Sequence, residues 1–225
     1  MTIDELKTQY FEEVESAIHS YLLWRSIHDV AASNPNVHRA MNHDAAFWNM
    51  MLHSLQTTFL ITIGRLFDDD KTNFSAHTFL TGCIAEIVAF SKESLGSRKS
   101  QEGSPLNAAE VTAYLAQAYV PTIKDFQLLR GAMSQHAKAY RKVYKPIRNA
   151  LYAHSSMNST VLRDQLFGKT NLGEIWNALL FLHQCGEVVT QLYLNGRKTD
   201  LTDHNYRYED KIRTQAEEIL QRLCA

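Results

Sequence analysis

The segment from Lys145 to His154 reads KPIRNALYAH, and it sets an arginine and a histidine six residues apart directly after a proline. Histidine is the side chain that changes charge nearest neutral pH, and arginine stays charged throughout. On an ideal helix, positions six apart differ by about 240° of rotation and about 9 Å of rise. Arg148 and His154 therefore do not share a face, whereas Arg148 and Tyr152 nearly do. Two copies of the helix facing each other would bring the pair to one ligand more easily than one copy can. If the helix restarts at Pro146, Arg148 and Asn149 fall in its first turn, where free backbone N–H groups favour a phosphate. On spacing alone, a histidine in this setting is more often a surface or satisfied core residue than a proton-transfer group.

The charge around this segment is segregated. Between Asp125 and Asp164 there is no acidic residue but there are seven basic ones, so the formal net charge of -1 leaves -8 on the remainder. Lys138, Arg141, Lys145 and Arg148 follow steps of three, four and three, one stripe of a continuous helix, with Lys142 beside them. Tyr140, Tyr144 and Tyr152 are interleaved. Basic residues with aromatics among them suit a phosphate backbone and unstacked bases. The competing reading is a solvated face that pairs with acids on neighbouring helices.

The elements that must position these residues read as helices nearly everywhere, since only 9 Gly and 4 Pro interrupt the chain. Leu6, Tyr10, Val14, Ala17, Tyr21, Trp24 and His28 form one stripe of a first long helix, with Thr2 and Glu5 as its capping box. Pro35 and its asparagine neighbours predict a turn. Phe47, Met51, Leu55, Phe59, Ile63 and Phe67 predict a second long helix ending at DDDKTN, and Ser75 caps a third. The polar, Gly/Ser-rich stretch from about 92 to 106 reads as a loop. Asn107 with Glu110 caps a short helix, and Pro146 predicts a kink or fresh start in the helical region after Pro121. Asn171 with Glu174 caps a helix whose stripe runs from Leu172 through Leu179, Leu182, Gly186 and Val189 to Tyr193. A charged amphipathic helix follows. The expected fold is all-α, a bundle of long antiparallel helices forming a single domain over residues 1–225.

Composition removes other classes. Cys83, Cys185 and Cys224 lack metal spacing and read as reduced thiols, and no apolar run approaches the ~20 residues of a membrane span. The expectation is a cytoplasmic protein with no membrane contact. A carboxylate-bridged metal bundle would repeat Glu-x-x-His, which occurs nowhere, and DDDKTN lacks the glycine and terminal glutamate of a calcium loop. No metal and no cofactor are expected.

RNALYAH resembles the motif of the HEPN superfamily (higher eukaryotes and prokaryotes nucleotide-binding domains). In that motif an arginine, usually followed by a polar residue, precedes a histidine with four to six residues between; Arg148, Asn149 and His154 match with five between. The stretch LITIGRLFDDDKTNFSAHTFL, with Arg65, Phe67, Asp68 and Ser75 after an apolar helix, is similar to the abortive-infection AbiU-type branch. The resemblance implies a metal-independent endoribonuclease of toxin type that acts as a homodimer with one composite site. His154 would transfer the proton at a ribose 2′-OH or the leaving 5′-oxygen, Arg148 would hold the scissile phosphate, and Asn149 would orient the histidine or bind a phosphate oxygen. Lys138, Arg141, Lys142, Lys145 and Tyr152 would bind the RNA. An antitoxin protein and a phage-defence role belong to the same implication. Some relatives carry a tyrosine two residues after the histidine, where a partner modifies it; here Ser156 stands there, so that regulation is not expected. A non-catalytic helical module that binds RNA or protein is the alternative.

Overall fold

The computed structural model of the chain describes residues 1–68, 70, 72–101, 106–147, 170–201 and 205–222. Among the described residues every regular element is helical and there is no strand, so the fold is all-α. The first helix, α1 (Ile3–Ser33), starts at a complete capping box in which Thr2 and Glu5 satisfy each other's backbone N–H groups. Its predicted stripe is buried from Leu6 to Tyr21, but Trp24 is only half-buried and His28 lies at the surface.

The expected turn after α1 is instead a helix, α2 (Pro35–His43). Asn34 accepts from the N–H groups of Asn36 and Val37, and Pro35 occupies the first helical position, where its missing donor costs nothing. Next comes α3 (Ala45–Leu66). Phe59 and Ile63 are buried, with Phe67 just beyond the helix end, but Phe47 is 56% exposed and Met51 38%. In its first half, the buried side of α3 is Trp48, Leu52 and Leu55, which pack with Ile27, Val37, Met41 and Leu220 in a small separate cluster. The pairing of Glu13 with Arg65 and of Trp24 with Phe59 shows that α1 and α3 run antiparallel.

Ser75 caps α4 (Ala76–Ala85), which passes into a 3₁₀ turn at Ile87–Phe90. The expected loop from 92 is corrected over its first part, which forms α5 (Lys92–Lys99) capped by Ser91. Composition missed it because its stabilising partners are distant. Arg98 lies 4.0 Å over the Tyr193 ring and donates to the Tyr193 carbonyl at 2.8 Å, and Lys99 reaches Asn195 Oδ1 at 3.1 Å. The short helix α6 (Ala108–Gln117) follows its Asn107–Glu110 capping box as predicted. Then α7 (Ile123–Ala139) runs into a π-helical turn at Tyr140–Tyr144 and a last turn, α8 (Lys145–Ile147). The wide turn sits where Pro146 removes the donor that the Lys142 carbonyl would otherwise receive.

The most enclosed helix is α9 (Leu172–Asn195). Beyond its predicted stripe, Ala178, Leu180, Phe181, Cys185, Val188 and Leu192 are also buried, so it is covered on most sides. Pairings of Asp4 with Tyr193, Tyr10 with Leu182 and Tyr21 with Leu172 place it antiparallel to α1. The last described helix, α10 (Glu209–Arg222), packs on α1.

A Cβ at Gly186 would meet the Phe11 and Tyr10 rings at 2.8 and 2.9 Å, whereas one at Gly131 in α7 would meet nothing within 4 Å. Alanine is favoured over glycine within a helix by about 1 kcal/mol, while overpacking a core costs about 1–3 kcal/mol. Gly131→Ala should therefore stabilise the protein by roughly 0.5–1 kcal/mol in urea denaturation. Gly186→Ala should destabilise it despite the same gain in helix propensity.

Candidate nucleic-acid interface and a carboxylate–imidazole cluster

The basic stripe is carried by the end of α7, the π-helical turn and α8. Lys138, Lys142 and Lys145 are exposed, and Arg141 is half-buried. A π-helical turn advances each residue by less than an α-helical one does, so the ideal stripe is sheared at Arg141 and Lys142. The expected interleaving of aromatics is corrected. Tyr140 and Tyr144 are 4% and 3% exposed and face the core, not a ligand. Tyr140 packs against Phe67 at 5.8 Å. The Tyr144 hydroxyl donates to the Asn171 carbonyl at 2.7 Å and accepts from the Asn171 N–H at 3.0 Å. Tyr144 holds the basic helix onto the start of α9 and Tyr140 onto the end of α3, and the lysines are left outward. Arg148, Asn149, Tyr152 and His154 lie outside the described residues.

Cys83 and Cys185 are buried free thiols. Burial pushes Cys185 up to about 12, which keeps it a neutral core side chain. No helix of the described residues is long and apolar enough to cross a membrane.

A second polar centre lies on α1 and α9. The Glu15 carboxylate accepts from the Tyr206 hydroxyl, stands 3.1 Å from His19 Nε2 through one oxygen and 3.4 Å from His183 Nε2 through the other. His19 Nε2 is also 2.8 Å from the Tyr206 hydroxyl. The two imidazoles take different oxygens, and among the described residues no such group has a metal-binding arrangement. Sequence reading missed the cluster because its members come from residues 15 to 206. The local signal was the i, i+4 spacing of Glu15 and His19.

An all-α bundle in which one basic helix leads into an arginine–histidine segment has the organisation of a HEPN domain. The HEPN model AbiU2 matches residues 3–214, so the chain belongs to the AbiU2 family of HEPN proteins. No curated protein and no solved structure matches it.

Burial pushes the Glu15 carboxyl up, but the hydrogen bonds from His183 and Tyr206 and the nearby imidazoles outweigh it and hold the group below its ordinary 4.5. A carboxyl depressed on folding contributes stability above its unfolded value, and that contribution is lost as pH falls through the folded value. Tyr206→Phe should lower stability by roughly 1–2 kcal/mol at pH 7, allowing for the partial exposure of Glu15. In urea melts of both proteins at matched pH, that difference should shrink as pH drops below 4.5.

Proposed function

We propose that the chain is a metal-independent endoribonuclease of the abortive-infection toxin type, acting in the cytoplasm as a homodimer. Membership of the HEPN family supports an RNase-like module. The observation that carries the proposal is that exposed Lys138, Lys142 and Lys145 lie on the helical segment that delivers the chain directly to Arg148. The lysines draw in the phosphate backbone, and their spacing along the helix guides it toward the arginine. Arg148 clamps the scissile phosphate and offsets the charge that develops in the transition state. His154 takes the proton from the ribose 2′-OH or supplies one to the leaving 5′-oxygen, and Asn149 orients the histidine or binds a phosphate oxygen. The products are a 2′,3′-cyclic phosphate and a 5′-OH end, and DNA lacks the nucleophile. Because positions six apart do not share a face of an ideal helix, one copy serves a single phosphate poorly, and two copies facing each other would complete the site. Tyr152 adds a stacking ring, and an antitoxin protein is the further partner proposed for such a toxin.

His154→Ala should abolish RNA cleavage while leaving helix content, dimer mass in light scattering and RNA binding nearly unchanged. Arg148→Lys should also be inactive, since an ammonium cannot reproduce the bidentate fork. Cleavage by the unaltered protein should persist in EDTA. A folded, dimeric His154→Ala protein with full activity would sink the catalytic reading and leave the non-catalytic binding module.

Replacing Lys138, Arg141 and Lys145 together by glutamine should weaken RNA binding and reduce the salt slope by about one unit for each phosphate no longer neutralised. Unchanged affinity and slope would make the stripe a solvated face.

A further inference from the structure

A cavity of about 910 Å³ opens between α1, α9 and residues 198–200 and 205–208. Its size is that of a small-molecule site. A shallower cleft of about 500 Å³ continues it along α1 and shares Phe11 and Glu15 with it. Most charges on the cavity wall already have partners. Glu15 is engaged by Tyr206, His19 and His183. Lys198 is bound to Asp125 at 2.9 Å, and Arg207 lies at the exposed rim over the Tyr208 ring. Two carboxylates on the wall have no hydrogen bond or ion pair to any described residue: Asp200, which is exposed, and Glu187, which is half-buried on the α9 floor one turn beyond His183.

The groups around Glu187 complement a cation. The Phe11 ring packs on α9 at Gly186, the residue before Glu187, and Phe11 and Glu187 both line the cavity, so it offers an aromatic surface as well as a carboxylate. Gln184 gives its amide N–H to the Asp200 carbonyl at 3.2 Å, which leaves its own carbonyl oxygen as an acceptor in the cavity. An anion there would face Glu15 and Glu187, and a neutral ligand would leave Glu187 unpaired. We infer that this cleft binds an organic cation, a guanidinium or alkylammonium group, with Glu187 as its counter-ion and Phe11 as its flanking ring. Two sources carry such a group: a free polyamine, or an arginine or lysine side chain of a protein partner. The site shares no residue with the basic helix and stands independently of the nuclease reading.

The test is titration calorimetry of the full chain, free of RNA and at low salt, with spermidine and separately with N-acetyl-arginine amide. Binding of either probe, weakened roughly tenfold or more by Glu187→Gln with the melting temperature unchanged, supports the site. Tighter binding of spermidine identifies a polyamine site; tighter binding of the arginine derivative identifies a seat for a partner's side chain. His154→Ala should bind as the unaltered protein does, and Glu187→Gln should leave RNA cleavage intact. No heat from either probe at millimolar concentration, or equal binding by Glu187→Gln, would overturn the inference.

Discussion

The crossing of α1 over α9 at Tyr10 and Gly186 is the constraint on which the other elements depend. Tyr10 is fully buried, stacks on Phe79 of α4 at 4.2 Å and donates its hydroxyl to the Leu182 carbonyl at 2.8 Å. A buried phenol is tolerable only with such a partner. The same ring lies so close to α9 that residue 186 has no room for a side chain. One residue therefore ties three helices together. Both polar clefts on α1 flank this crossing, since Phe11 is the next residue and Glu15 lies one turn further on.

Away from the core, polar tethers fix segments that bury little apolar area. Asp125 illustrates this. It completes the cap of α7, accepts from the Tyr119 hydroxyl at 2.8 Å and pairs with Lys198 at 2.9 Å. Burial pushes its carboxyl up, yet the bonds from Lys198, Thr122 and Tyr119 hold it well below the usual carboxylate range. The chain leaving α9 is thereby fastened to the start of the basic helix. At the same end of α9, the left-handed backbone of Gly196 (φ 52°) lets the Arg197 N–H return to the Gln191 carbonyl at 3.1 Å. Arg98 and Lys99 anchor α5 there as well.

The basic helix has two faces with separate duties. Tyr140, Tyr144 and Ile147 are buried, while Lys138, Lys142 and Lys145 remain exposed. Apolar anchoring fixes the direction of the segment, and the lysines concentrate positive charge along it. The exposed face of the described part of the helix therefore offers a ligand lysine electrostatics rather than rings.

Helix type, most starts and the family were legible from the amino acids alone, because they rest on local chemistry. Thr2 with Glu5, Ser75 and Asn107 with Glu110 specify their own caps within four residues. The 3.6-residue spacing of α1 and α9 identifies the faces that must be buried. The arginine–histidine segment needed only its spacing to be noticed. The remainder depended on neighbours far along the chain. Phe47 and Met51 belong to a regular apolar stripe, yet they stay exposed because the partners of that half of α3 pack on Trp48, Leu52 and Leu55 instead. Lys92–Lys99 has a loop's composition and is a helix because Tyr193 and Asn195 hold Arg98 and Lys99. Tyr140 and Tyr144 sit in a basic run, but their rings turn inward to Phe67 and Asn171. His183 and Tyr206 reach Glu15 and His19 only because α9 and the chain after it pack on α1. Residue type and spacing determined what each segment could become, and packing between distant segments decided which side chains reached solvent.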